Sequence, residues 1–171
     1  MGDIQALIAA HAQYNHWANS LLVKWLKTLD SALLAADTPS SFRSITLTLQ
    51  HMVQAQYFWL PVITETFNGR GDEPFDPGAG ISAMQHLLHG SQEMLNVFST
   101  YSEEALLQLI SHPDVDLVQP RYAFMLHIFN HNTYHRGQIV TMARVLGVTG
   151  GFVETDYDAF LWARQHGKTA I

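Results

Sequence analysis

The sequence predicts an all-α protein: a four-helix bundle with a short extra C-terminal helix, in a single domain spanning residues 1–171. Three observations favour this fold class. Four long segments carry apolar residues at three- and four-residue steps, stretches rich in Gly and Pro separate several of them, and alternating strand patterns are scarce. A chain of 171 residues with 47% apolar and 14% charged residues also has the size and composition of one globular domain.

The first two predicted helices fill the N-terminal part of the chain. Apolar residues recur from Ile4 to Leu29, which predicts an amphipathic helix that the "DTPSS" stretch then ends. A second helix is expected from about Phe42 to Phe67, with Ser40 or Ser41 as its N-cap. Pro61 is expected to kink this helix or to mark where it weakens.

The middle of the chain alternates between loops and helices. The stretch "NGRGDEPFDPGAG" has the composition of a loop, long for a simple up-down connection. A third helix is expected from Ile81 or Ser82 to about Thr100, followed by a short helix capped by Ser102. The next stretch, "SHPDVDLVQP", is predicted to be extended or irregular, with a short hairpin as the alternative.

Two further helices complete the prediction. The fourth long helix follows Pro120 and ends at Gly147, a typical C′ glycine. A last short helix is expected to extend to about Arg164, with Thr155 and Asp158 forming a capping box at its start.

Charge and composition exclude several classes of function. The formal net charge of −6 argues against nucleic-acid binding and against an anionic membrane surface. No apolar run is long enough to span a bilayer, and the N-terminus lacks the pattern of a secretory signal, so we expect a cytoplasmic protein. The absence of cysteine excludes disulfides, cysteine-ligated zinc and cysteine nucleophiles.

Three of the ten histidines lie at four-residue spacing in "HIFNHNTYHRGQ". On a helix, His127, His131 and His135 fall within an arc of about 80°, which they share with apolar residues such as Met142 and which we expect to face the core. Two histidines at i and i+4 form a common half-site for a divalent metal. The alternative is a set of packed, hydrogen-bonded core histidines.

A third ligand is expected from another helix. His51 is the only histidine on the inner stripe of the second predicted helix. Three neutral imidazoles suit zinc or nickel, with iron or manganese as alternatives. Asn132 stands where a zinc protease of the His-Glu-x-x-His type needs glutamate, and no Glu-x-x-His is present, so that protease class and the di-iron carboxylate bundles are excluded.

The stretches "YNHWAN", "SITLTLQHMVQAQYFW" and "HIFNHNTYHRGQI" together resemble the DinB (damage-inducible), YfiT-like metalloenzyme superfamily. The resemblance implies a four-helix bundle that is often dimeric and holds one metal ion. Carried over position by position, the ligands are His51, His131 and His135, which leaves His127 beside the site. The superfamily includes metal-dependent S-transferases that use low-molecular-weight thiols, and maleylpyruvate isomerases.

These expectations lead to a metal-dependent enzyme acting on a small molecule, most simply by thiol S-transfer or hydrolase-like chemistry. The ion would activate a water or thiol, and His127 or Tyr134 would move the proton. A homodimer is expected. Two alternatives require the same histidines. The protein could be a non-catalytic bundle that binds metal or a small ligand, or a structural dimer braced by metal.

Three neighbours of the histidines have expected roles of their own. Gln138 is expected either to orient a ligand imidazole or to make an ordinary buried amide hydrogen bond. Arg136 is expected to pair with a carboxylate at the surface or on a neighbouring helix. Gly137 is expected to allow a close approach between helices.

Overall fold

The computed structural model describes residues 2–67 and 80–169, and most of them are helical. The elements, in chain order, are α1 (Asp3–Leu26), α2 (Ser31–Ala35), α3 (Ile45–Ile63), α4 (Ile81–Phe98), α5 (Glu103–Leu107), β1 (Leu109–Ser111), β2 (Val118–Pro120), α6 (Arg121–Val145) and α7 (Tyr157–Gln165). The predicted all-α bundle with a short C-terminal helix is confirmed, because α1, α3, α4 and α6 pack around a common core and α7 follows them. No helix in the described ranges is long and apolar enough to cross a membrane.

Two clusters of buried apolar residues show in which direction each long helix runs. One cluster contains Leu22, Leu49, Leu87 and Ile139, and the other contains Ile8, Ile63, Phe98 and Phe124. The end of α1 therefore lies beside the starts of α3 and α4 and the end of α6. Helices α3 and α4 therefore run parallel, and residues 64–80 connect them in the sequence. The predicted loop "NGRGDEPFDPG" belongs to this connection and lies outside the described residues.

The start of α3 differs from the prediction. Ser44 is the N-cap, and its hydroxyl accepts a hydrogen bond from the Leu47 amide at 3.1 Å. Ser40 and Ser41 are not caps, because the Thr38 amide donates to the Arg43 carbonyl at 2.8 Å and closes a turn over these residues. The predicted end at Phe67 is wrong, because α3 stops at Ile63. This end lies two residues after Pro61, where the helix was expected to kink or to weaken.

The end of α6 follows the prediction closely. Gly147 has φ +89°, a left-handed conformation that glycine adopts without strain. Its amide donates to the Arg144 carbonyl, and the Val148 amide donates to the Ala143 carbonyl, both at 3.0 Å. This pair of bonds is a Schellman motif, and it ends the helix by satisfying carbonyls that have no partner within it.

The short elements were predicted less well. Ser102 caps α5 as expected, since its hydroxyl accepts from the Ala105 amide, and β1 and β2 form the antiparallel hairpin that was the alternative for "SHPDVDLVQP". Helix α2 was not predicted. The capping box at α7 is wrong, because the N-cap is Asp156 and the Thr155 carbonyl instead accepts a hydrogen bond from the Tyr14 hydroxyl on α1 at 2.8 Å.

Candidate metal centre

The two helices that carry the histidine strip and His51 lie side by side and antiparallel. Near one end of α3 the Thr48 hydroxyl reaches the Met142 sulfur of α6, and near the other the ring of Trp59 stacks on Phe124. The start of α3 therefore lies beside the end of α6, and the end of α3 beside the start of α6. This alignment brings His51 opposite the middle of the histidine strip.

The structure brings His51, His131 and His135 to one point. The Nε2 atom of His131 lies 2.9 Å from Nε2 of His51 and 3.2 Å from Nε2 of His135. Each residue offers one ring nitrogen, and all of these nitrogens lie within 4.8 Å of one another. Ligand nitrogens about 2.0–2.1 Å from a shared tetrahedral zinc ion would lie about 3.3 Å apart, so the observed spacing fits a common ion.

Hydrogen bonding alone cannot explain this arrangement. An imidazole nitrogen has a single in-plane position, which holds either a proton or a lone pair. Nε2 of His131 nevertheless faces two other Nε2 atoms and can pair well with only one of them. The other nitrogen of His131, Nδ1, is buried without a partner. A divalent cation that accepts three lone pairs would remove the unfavourable contact.

The cluster strongly disfavours the protonated forms of its histidines. Burial lowers the pKa of His131 to about 3, with further lowering by the neighbouring charges of His135, His51 and His127. Burial and then the proximity of His135 lower the pKa of His51. Burial also lowers the pKa of His135, although its hydrogen bond to Gln138 opposes the shift. The imidazoles are therefore neutral near pH 7, the form that binds metals.

A short hydrogen-bonded chain fixes the orientation of His135. Its Nδ1 lies 2.7 Å from the Gln138 amide oxygen, and the Gln138 amide nitrogen donates to the Tyr134 hydroxyl at 3.0 Å. With its proton on Nδ1, His135 directs the lone pair of Nε2 into the cluster. The expectation that Gln138 contacts a histidine of the strip agrees with this geometry. Tyr134 itself is 61% exposed, so it faces outward rather than into the core.

Phe42 forms one wall of the cluster. Its ring stacks on His51 with centroids 4.2 Å apart, and it lies 5.8 Å from the ring of His135. Phe42 precedes α3, in the turn that Thr38 and Arg43 close. Phe42 was expected at the start of the second helix, and the sequence pattern carries no signal that its ring would cover a histidine.

His127 lies beside the cluster rather than within it. Its ring centroid is 6.0 Å from that of His131 and 4.8 Å from that of Trp59, and the residue is exposed. His112, just after β1, packs its ring 5.2 Å from the same Trp59 ring. Partial burial of the ring, and then the proximity of His112, lower the pKa of His127. His112 was not singled out by the sequence, because it lies in the irregular segment rather than on a helix.

The expected pairing of Arg136 with a carboxylate is wrong. Its guanidinium is buried between α6 and α1, where it donates to Asn19 at 3.0 Å, to the Tyr14 hydroxyl at 3.1 Å and to Thr133 at 2.8 Å. Asn15 completes the group and also accepts from the Asn132 amide at 3.0 Å. Neutral oxygens thus take the place of the expected anion where α6 packs against α1.

The expected role of Gly137 is also wrong. A Cβ atom placed on Gly137 would meet no atom within 4 Å, so no neighbouring helix approaches it closely. Gly137 instead lines a cavity of about 390 Å³ that lies between residues 38–40 and one face of α6. Gln138 and Tyr134 line the same cavity, which places it next to the histidine cluster.

Known proteins resemble this chain in sequence and in fold. The family model described as the DinB family matches residues 4–168. Protein DinB of Bacillus subtilis (strain 168) is 28% identical over 168 residues, covering 91% of this chain and 94% of that protein. The crystal structure of a DinB-like protein from Bacillus cereus ATCC 10987 superposes with a TM-score of 0.57 at 18% identity, covering 81% of this chain and 91% of that one.

Proposed function

The chain belongs to the DinB family, and from this premise we propose that it is a metal-dependent enzyme whose His51, His131 and His135 hold one divalent ion. The observation that carries the proposal is the convergence of three Nε2 atoms, with His131 in contact with both of the others. Family membership and this cluster together support a metal-binding protein of the DinB type.

The donor set favours particular metals. Three neutral imidazoles suit zinc or nickel, with iron or manganese as alternatives, and the chain has no cysteine to add a thiolate. Three protein ligands are the number found at catalytic zinc sites, which keep one position for water or substrate. A divalent ion held there would supply a Lewis acid able to lower the pKa of a water or thiol toward neutrality.

The residues around the cluster have distinct roles in this proposal. Gln138 holds the proton of His135 on Nδ1 and so keeps Nε2 available as a ligand. The Tyr134 hydroxyl or the His127 ring would exchange protons with a substrate, a role supported by the bond of Tyr134 to Gln138 and by the contact of His127 with His131. Phe42 covers His51 and excludes water from that side.

We propose that the reaction is a thiol S-transfer or a hydrolase-like step on a small molecule, with a low-molecular-weight thiol as the co-substrate of the transfer. The enzyme would act as a homodimer. A binding module without catalysis, or a dimer braced by metal, would use the same three histidines, so a direct assay of turnover must separate these possibilities.

The experiment uses protein purified without a His-tag and loaded with zinc or nickel. Glutathione, bacillithiol and mycothiol are each tested with monochlorobimane as the electrophile, and aryl esters test hydrolysis. The proposal predicts turnover that requires the metal and is lost in His131→Ala. Metal binding without turnover by any combination would refute the catalytic part and favour the binding module.

A further inference from the structure

The cavity beside the histidine cluster has the size of a small-molecule site. Its volume of about 390 Å³ lies in the lower part of the range of about 300–1,000 Å³ that ligand pockets occupy. Residues 38–40 form one side, and the face of α6 from Tyr134 to Val145 forms the other. The exposed rim makes the cavity accessible from solvent, since Tyr134 is 61% and Val145 60% exposed.

Gly137 is an unusual residue for its position in α6. Glycine inside a helix costs about 1 kcal/mol relative to alanine. The backbone conformation does not require glycine at this position, because Gly137 does not have a positive φ. Close packing does not require it either, because an added Cβ would meet nothing within 4 Å. A side chain at this position would instead extend into the cavity that Gly137 lines.

The chemistry of the lining points to an uncharged ligand. Hydroxyl and amide groups of Ser40, Tyr134, Gln138 and Thr141 alternate with apolar surface such as that of Met142. None of the described residues that line the cavity is charged. The arginines close to the lining residues along the chain are engaged elsewhere. Arg43 pairs with Asp37 at 2.6 Å. Arg136 is buried and bonded to Asn19 and Tyr14, and Arg144 lies over the ring of Phe152 at 4.7 Å. A carboxylate or phosphate placed in the cavity would lose water without gaining a partner charge, which is costly.

Two lining residues connect the cavity to the histidine cluster. The Tyr134 hydroxyl accepts from the Gln138 amide nitrogen, and the Gln138 amide oxygen contacts Nδ1 of His135. Along these hydrogen bonds, a ligand bonded to Gln138 would lie one side chain away from His135, and a ligand bonded to Tyr134 two side chains away.

We infer that this cavity binds an uncharged, amphipathic small molecule and that Gly137 keeps the cavity open for it. That the bound molecule is the substrate of the histidine site rests on the proposed function. The binding itself does not, because none of the three histidines lines the cavity.

The test compares uncharged probes with anions of the same shape. Phenylacetamide, hexanamide and indole-3-acetamide are paired with phenylacetate, hexanoate and indole-3-acetate. Protein labelled with ¹³C-methyl methionine reports occupancy through Met142, which lines the cavity and is assigned with Met142→Leu. Gly137→Leu fills the space, Gly137→Ala adds a single carbon, and Asn130→Leu adds the same bulk at an exposed position elsewhere on α6.

We expect at least one amide to shift the Met142 signal and to bind about tenfold more tightly than its carboxylate, the ratio for a difference of about 1.4 kcal/mol. Gly137→Leu should weaken that amide at least about tenfold, whereas Asn130→Leu should not. If no amide shifts the signal, or if Gly137→Leu binds as wild type does, the inference is wrong.

Two controls distinguish ligand binding in the cavity from metal binding and from self-association. Zinc titration of wild type and Gly137→Leu tests the metal site independently. Normal zinc binding without amide binding in wild type would refute the cavity alone, and amide binding without zinc binding would refute the proposed function alone. Light scattering measures the oligomeric state. If Gly137→Leu changes that state while wild type binds no amide, the cavity is part of an interface between two copies, and the inference is overturned.

Discussion

The hydrogen bond between Gln138 and His135 allows a sharp test of how the metal site is organised. Replacing Gln138 with leucine keeps a side chain of similar size but removes the acceptor 2.7 Å from His135 Nδ1. His135 is only 4% exposed, so water has little access to replace the lost partner. The imidazole would then be free to turn or to move its proton to Nε2, the nitrogen that faces the other histidines.

The expected loss of metal affinity can be bounded. Removing the partner that orients a ligand histidine typically weakens metal binding about 10- to 100-fold, or about 1.4–2.8 kcal/mol. The deep burial of His135 favours the upper half of this range for Gln138→Leu. Gln138→Glu keeps an acceptor in place and adds a charge that strengthens the hydrogen bond, so its affinity should equal or exceed that of wild type.

The assay is a competition titration of zinc against a chromophoric chelator. Thr141→Val is the matched control, because Thr141 lines the same cavity but its hydroxyl donates only to the Gly137 carbonyl at 3.0 Å. Wild-type affinity in Gln138→Leu, or equal losses in Gln138→Leu and Gln138→Glu, would refute the orienting role.

Three further predictions concern stability and the neighbouring histidine. In metal-free protein the free energy of unfolding should fall from pH 7.5 to pH 5, because unfolded histidines take up protons below about pH 6.5 whereas burial holds the pKa of folded His131 at about 3. Urea titrations of wild type and His131→Gln measure this, and equal slopes with pH would contradict it. His127→Ala should keep zinc affinity within about fivefold, since a single lost contact beside the site is worth less than about 1 kcal/mol, but it should reduce turnover. Loss of zinc in the same chelator titration would place His127 among the ligands. Gly137→Ala should raise the free energy of unfolding by about 1 kcal/mol, and a fall in thermal melts would show that a side chain is not tolerated there.

The long elements of this fold were predictable because periodicity is a local property of the sequence. The four helices appear where apolar residues recur, and Gly147 ends α6 because only a residue tolerant of positive φ suits a Schellman motif. The identity of an N-cap depends on how the preceding segment of the chain approaches the helix. Ser40, Ser41 and Ser44 look alike in sequence, and the turn closed between Thr38 and Arg43 decides among them.

The histidine cluster was predictable from spacing and resemblance, but its surroundings depend on tertiary contacts. No local pattern indicates that Phe42 would stack on His51 from the turn before α3, or that His112 would reach Trp59 from the hairpin. Arg136 was misassigned because burial among neutral oxygens is rare for arginine, and only the packing of α1 against α6 supplies them. Gly137 was misassigned because a glycine beside a cavity and one beside a helix look the same in sequence.

The central claim is that His51, His131 and His135 hold one divalent ion, and the most direct measurement is the metal content of zinc-loaded, desalted protein. Mass spectrometry of the metal should find about one zinc per chain in wild type, in His112→Ala and in His127→Ala, because three protein ligands suffice for such a site. His51→Ala, His131→Ala and His135→Ala should each retain almost none while circular dichroism still shows a folded helical protein. A wild-type protein without zinc after loading, or full zinc in any of the three ligand variants, would contradict the account.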